Sequence, residues 1–337
     1  MSNVFSGILM VLAGGAMQGS FGMPQKQVKG WSWEKMWLFY SISGMFACPW
    51  LLVATLITDP LGVYASVPTS VLLRTALFGL GWGVGGVFFG LGMAYVGIAL
   101  AFAIIISLVA AVGTLVPMLV LHPEQLGTSK GTFVLAGLAI VIAGVAICAR
   151  AGSLKQAAAA DESGKQKKFL TGLLICIISG VMSPMMNFSY AFGDQISAEA
   201  ARRGADPGNA SIAIFALATT AGFLINAAYC LYLLAKNRSW RGSEPSANTM
   251  NYVYSLASGA LWLGGFFLYG LGATALGELG PILGWPIFMT VMVLIANFWG
   301  LLTGEWKGAG TKALGYLAAG TGVMIVAMIV ISMAARA

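Results

Sequence analysis

A chain of 337 residues that is 58% hydrophobic and only 9% charged is not a water-soluble globule, in which roughly a quarter of residues are charged. Its formal net charge of +7 would suit a nucleic-acid binder, but no basic and aromatic motif accompanies it, so the charge reads as membrane topology and no nucleic-acid partner is expected. One histidine and four scattered cysteines (Cys48, Cys148, Cys176, Cys230) give no CxxC pair and no metal-ligand spacing, so neither a metal, nor a cofactor, nor enzyme chemistry is expected.

A hydrocarbon core of roughly 30 Å takes about 20 apolar residues as a helix. Such stretches fall near 4–23, 36–58, 71–95, 98–121, 131–149, 169–193, 210–235, 250–273, 279–302 and 312–333. They are apolar all round, whereas barrel strands alternate, so the expected fold is an all-α integral membrane protein with ten transmembrane helices. The first stretch follows Met1 to Asn3, without a basic residue, and precedes Lys26, Lys29 and Lys35. That charge order is the reverse of a signal peptide, so the stretch is expected to remain as helix one.

In the first span Gln18 is a polar residue among apolar ones, and its amide suits a hydroxyl-rich ligand. The third span combines Trp82, Phe88 and Phe89 with Gly79, Gly81, Gly83, Gly85, Gly86, Gly90 and Gly92. Small residues allow close helix packing, and they also leave room for a ligand beside the aromatic rings. Gly81 to Gly86 matches GxGxxG, but no strand precedes it and no acidic residue follows at the required distance, so the match is false. His122 closes the fourth span as a capping or interfacial residue.

Arg150 to Lys168 is the most hydrophilic stretch and divides the chain into 1–150, a linker at 151–168, and 169–337. In the sixth span Asn187, Ser189 and Tyr190 are polar, and Asp194 stands at its edge. The seventh span holds Asn226, and the eighth holds Trp262 and Tyr269 among glycines. Glu278, within Gly277-Glu-Leu-Gly-Pro281, suggests a deep or broken helix entry, and an ionisable group at membrane depth is a proton-coupling candidate. Asp194 is the second such candidate, while Glu305, beside Trp306 and Lys307, reads as an interfacial anchor or ion pair.

The halves resemble each other. A shift of 180 places Trp82 on Trp262, Gly85 on Gly265, Gly90-Leu-Gly92 on Gly270-Leu-Gly272 and Gly97 on Gly277; a shift of 165 places Gly7 on Gly172, Gly15 on Gly180 and Met17 on Met182. Asn187 falls one turn beyond that last match, which pairs it with Gln18 as a binding candidate. Five helices is an odd number, so a second copy enters from the opposite side, the inverted repeat of secondary transporters. Without GxxxxGK[ST], ion-gradient coupling is favoured over ATP. Most Lys and Arg residues lie at 26–35, 150–168, 236–241 and 307–312, in loops of one side; retention of basic residues in the cytoplasm then places both termini on the outer, periplasmic face of the inner membrane.

The run Pro24-Gln-Lys-Gln-Val-Lys-Gly-Trp-Ser-Trp-Glu-Lys-Met-Trp37 resembles the corresponding stretch of the L-rhamnose/proton symporter family, within the drug/metabolite transporter superfamily. Gly81-Trp-Gly83, Tyr95-Val-Gly97, Val112-Gly-Thr-Leu115, Arg150-Ala-Gly152, Leu234-Ala-Lys236, Trp285 and Glu305-Trp306 extend the resemblance over essentially the full length. It implies the drug/metabolite transporter fold, with uptake of L-rhamnose or a related deoxy- or pentose sugar with a proton as coupling ion, by alternating access. The expected sugar site comprises Gln18, Asn187, Trp82, Phe89, Tyr190, Trp262, Tyr269 and Trp285, with Glu278 or Asp194 handling the proton. Expected partners are the sugar, protons and membrane lipids, with the protein a monomer or weak dimer. The rival readings are a transporter or exchanger of another metabolite on the same fold, an integral-membrane enzyme, and a sugar sensor.

Overall fold

A computed structural model describes residues 2–121, 127–157, 162–206, 208–241, 248–276 and 285–333. All regular structure among them is helical. The helices are α1 (Ser2–Ser20), α2 (Gly22–Gln27), α3 (Trp33–Ser41), α4 (Cys48–Leu56), α5 (Pro60–Ser66), α6 (Thr69–Val96), α7 (Ile98–Leu121), α8 (Ser129–Ala157), α9 (Glu162–Met182), α10 (Met185–Phe192), α11 (Asp194–Arg202), α12 (Ile212–Asn237), α13 (Asn248–Leu276), α14 (Trp285–Leu302) and α15 (Gly310–Met333). Six helical segments among the described residues are long and apolar enough to cross a membrane: Phe5–Gln27, Trp33–Leu56, Thr69–Val96, Gly131–Lys155, Ile212–Asn237 and Thr249–Leu276. Their outer faces expose Leu9, Leu51, Leu73, Leu77, Ile142 and Leu224, an apolar surface that belongs in lipid rather than water. The chain is a multi-pass membrane protein.

Two interruptions fall at prolines. Pro184 has no N–H to donate back along the helix, and the expected sixth span divides there into α9 and α10. Pro49 has the same defect one turn above Met45; the chain absorbs it by widening into a π-helical turn, Ile42–Ala47, between α3 and α4. The polar stretch Arg150 to Lys168 stays helical as far as Ala157 and again from Glu162, since it contains no proline and its Ala, Lys and Gln are good helix formers.

The contacts form two units. The first comprises Met1–Ser20, Phe88–Val181 and Leu268–Ala337. Within it α8 packs along α15, α7 packs on α14 and α8, and α1 runs beside α14. Small residues permit these approaches: a Cβ on Gly320 would lie 3.0 Å from the Cys148 backbone nitrogen, and one on Gly15 would lie 2.9 Å from the Phe288 carbonyl oxygen. At the turn between α6 and α7, Gly97 has φ of +87°, a left-handed conformation that a side chain would strain.

The second unit comprises Phe21–Val87 and Met182–Phe267. Here α12 is the central helix, with α3, the π turn and α4 laid against it. Outside the spans, Asp59 caps α5 by accepting from Gly62 N at 3.0 Å, with Pro60 at the first helical position. Arg203, just past α11, binds Asp59, donates from Nε to Glu199 at 2.6 Å, and donates to Ser66 Oγ at 2.6 Å. These charged hydrogen bonds, Arg203 first, hold the Glu199 carboxyl below its ordinary range and hold Arg203 above its own. Beneath them Val53, Ile57, Val63, Val67, Ile196 and Ile214 form a buried core against which Tyr190 packs.

Candidate functional site

The second unit gathers aromatic rings from four helices. Trp262 of α13 lies with its centroid 5.6 Å from Trp82 of α6, 6.0 Å from Phe215 of α12, 5.3 Å from Phe266 and 6.4 Å from Tyr40 of α3. Trp82 and Trp262 are 9% and 7% exposed, so each ring largely shields the other. Only the edges of the two rings are therefore open to a ligand in this arrangement. The 180-residue offset that aligns Trp82 with Trp262 in sequence thus corresponds to direct contact between the two rings.

Behind the platform, Asn226 of α12 is wholly buried. Its Oδ1 accepts from Trp37 Nε1 at 2.8 Å, while Nδ2 donates to the carbonyls of Gly83 and Gly222, each at 2.9 Å. Trp37 stacks against Trp33 at 5.5 Å and leans on Tyr40 at 4.4 Å. Gly222 gives Trp82 its seat, since a Cβ there would lie 2.6 Å from the indole.

The run from Pro24 to Trp37 is the hub of the same unit. Gln25 Nε2 donates to Ser258 Oγ at 2.8 Å, and Ser258 donates to the Phe21 carbonyl at 2.5 Å. The Lys29 backbone exchanges two hydrogen bonds with the Asn251 side chain, at 3.2 and 2.7 Å. Glu34 and Lys35 are both 6% exposed. Buried charges are costly unless satisfied: Glu34 accepts from Asn237 Nδ2 at 3.1 Å and Ser239 Oγ at 2.5 Å, while Lys35 donates to the Trp240 carbonyl at 3.0 Å and sits 4.2 Å above the Trp31 ring.

Gln18, in the first unit, is 1% exposed, and its Nε2 has no hydrogen-bond partner among the described residues. The large majority of buried side-chain polar atoms are paired. Thr75 Oγ1, Asn297 Oδ1 and Trp306 Nε1 share the lack of a partner, but only Gln18 leaves a whole amino group, with two donors, unused.

The remaining expected site residues are dispersed. Phe89 meets Phe102 edge-on at 5.2 Å, and Tyr269 lies 4.8 Å from Phe288. Tyr190 belongs to the apolar core of the second unit. Asp194 opens α11 on the exposed surface, where its carboxylate accepts from Gln195 N at 2.7 Å. Asn187 lies on α10 and Trp285 begins α14, with their side chains outside the described part. Glu278 lies outside the described residues. Among the described residues no group of His, Cys, Asp and Glu could hold a metal.

Glu305 has a more specific place than a membrane-surface anchor. Its Oε1 accepts from Ile98 N at 3.1 Å, so the carboxylate caps the start of α7 from a distant loop. A Cβ at Gly97 would stand 2.7 Å from its other oxygen, so glycine there is required by conformation and by space alike. Sequence reasoning marked Asn226 only as a polar residue of the seventh span and Trp37 only as part of the run 24–37, and it did not single out Tyr40. The available signal was a lone amide in the seventh span together with tryptophans one turn apart at 33 and 37.

Comparison with known proteins now bears on this arrangement. The family described as L-rhamnose-proton symport protein (RhaT) matches residues 1–337. An L-rhamnose-proton symporter of Citrobacter koseri is 33% identical over 344 aligned positions, covering 99% of each chain. One from Cronobacter sakazakii is 33% identical over 97% of each chain, and one from Klebsiella pneumoniae 32% identical over 95% of each. No solved structure matches. On a match that runs from the first residue to the last, with relatives a third identical end to end, the chain belongs to the L-rhamnose-proton symport protein family.

Proposed function

We propose that this protein imports L-rhamnose, or a closely related deoxy- or pentose sugar, together with a proton, by alternating access across a bacterial inner membrane. The observation that carries substrate and coupling is the end-to-end match to proteins named L-rhamnose-proton symporters. The run 24–37, part of that match, is the segment that organises the aromatic unit.

The architecture proposed is ten spans in two inverted five-helix repeats, 1–150 and 169–337 about the 151–168 linker, of the drug/metabolite transporter type. Three packings support it: α3 and the π turn on α12, α7 on α14, and α8 on α15, each joining spans five apart in order. The unit boundaries within α6 and α13 fall after Val87 and Phe267, again 180 positions apart. Both termini would face outward, and reporter fusions at Ala337 active only in the cytoplasm would contradict that orientation. The protein would work as a monomer or weak dimer with no cofactor beyond the proton.

In this reading the Gln18 amino group and the Asn187 amide bind sugar hydroxyls. Trp82, Trp262, Trp285, Tyr269, Phe89 and Tyr190 offer ring faces or edges to the apolar side of the sugar. Glu278 exchanges the proton, with Asp194 the second candidate. Protonation that raises sugar affinity must, by linkage, be favoured in turn by bound sugar. Adding L-rhamnose to de-energised, lightly buffered cells expressing the protein should make the medium more alkaline as protons enter with sugar. Sugar entry with no pH change would remove proton coupling. Glu278→Gln should retain downhill sugar exchange and lose uphill accumulation; unchanged accumulation would move the coupling role elsewhere.

A further inference from the structure

We infer that Asn226 is a positioning residue that sets the geometry of the aromatic platform without touching the sugar. The inference rests on the platform's being part of the sugar site. An in-span asparagine would ordinarily be a candidate ligand group, but this one is wholly buried and both hydrogens of its amino group are committed. What it holds is specific. Its Oδ1 fixes the Trp37 indole of α3, and its Nδ2 fixes the Gly83 carbonyl, next in the chain to Trp82.

The contacts close into a circuit. From Asn226 one arm runs through Trp37 to Tyr40 and on to Trp262, with centroid separations of 4.4 and 6.4 Å. The other runs through Gly83 to Trp82, whose ring rests where Gly222 lacks a side chain, one turn before Asn226 on α12. The arms meet where Trp82 and Trp262 lie 5.6 Å apart at 34°. Removing the amide frees one arm at Trp37 and loosens the other at Gly83, so the angle between the two indoles is no longer held. Linked polar networks of this kind act as a unit, and breaking one member disturbs the rest.

The test is the initial rate of labelled L-rhamnose uptake in proteoliposomes, normalised to folded protein. Asn226→Leu keeps the size and removes the hydrogen bonds; KM should rise about tenfold, with Vmax changed by less than about twofold, the effect of a binding difference of one decade. Asn226→Asp, which keeps an oxygen to accept from Trp37 Nε1, should recover part of the affinity. Trp37→Phe, which keeps the ring and deletes the donor, should raise KM in the same way, and Asn226→Leu with Trp37→Phe should be no worse than Asn226→Leu alone. A purely architectural asparagine would instead lower the folded yield and leave KM unaltered, and the two changes would add. If Asn226→Leu does not fold, Trp37→Phe and Asn226→Asp carry the same comparison. Wild-type KM in Trp82→Phe and Trp262→Phe would show that the platform is not the sugar site. A raised KM in those two with a normal KM in the Asn226 and Trp37 variants would overturn the positioning role alone.

Discussion

Gln18 and Asn226 are both amides inside apolar helices and both are shut away from solvent, yet they are used in opposite ways. Asn226 has its carbonyl and both amino hydrogens engaged, by an indole and two backbone carbonyls. Gln18 has an amino group with no partner among the described residues. A buried donor without a partner costs about 1–3 kcal/mol, so a paired amide strengthens a fold and an unpaired one weakens it. The difference separates an amide whose bonds are all made within the fold from one whose donors are unused among the described residues. In the proposed function the unused Gln18 amino group is the one that a sugar hydroxyl would satisfy.

The contrast predicts opposite signs on stability. The largest effect is expected for Asn226→Leu, which strands the Trp37 indole N–H in the interior; unfolding in detergent should become easier by about 2 kcal/mol. Next is Gln18→Met, which replaces an unpaired amide by an apolar chain of similar length. It should stabilise the empty protein by about 1 kcal/mol while raising KM for L-rhamnose about tenfold, a gain in stability bought with lost binding. A destabilised Gln18→Met protein would show that the amide has a partner in the fold and would erase the contrast.

The smallest effect is expected at the exposed end of the second unit. Arg203 and Arg202 both bind Glu199, but ion pairs near water contribute little. Because Arg203 holds the Glu199 carboxyl below its ordinary 4.5, the stabilisation is present above that value and is lost as pH falls through the lowered one. Glu199→Gln should therefore lower Tm slightly at pH 7 and match the wild type in strong acid. A gap that widens in acid would reverse the assignment.

The helices were legible in the sequence because twenty apolar residues without charge have few other uses in a cell. Their interruptions were partly legible. Pro184 and Pro49 announce a lost backbone donor, but whether the chain breaks, as after α9, or widens, as in Ile42–Ala47, depends on what packs beside it. At 42–47 the neighbour is α13: Ser43 Oγ donates to the Leu256 carbonyl at 2.8 Å, and a Cβ on Gly44 would lie 2.9 Å from the Gly259 oxygen.

The site was less legible, for a geometric reason. Composition marks Gln18 and Asn226 alike as polar residues in apolar helices. Only the rotation of α12 against α3 and α6, set by contacts between residues more than a hundred positions apart, gives Asn226 its three partners. The same holds for Glu305. Its sequence neighbours Trp306 and Lys307 suggest a membrane-surface anchor, whereas its described partner is the start of α7 at Ile98. Trp82 and Trp262 were paired by the 180-residue offset in the sequence, and the two rings are in contact.

The central claim is that sugar and proton cross together. It is tested most directly by labelled L-rhamnose uptake into proteoliposomes under an inward proton gradient at matched sodium, with and without a protonophore. The account predicts accumulation above the external concentration that collapses to equilibrium when the protonophore is added. Accumulation that survives the protonophore, or no entry of L-rhamnose under either condition, would contradict it.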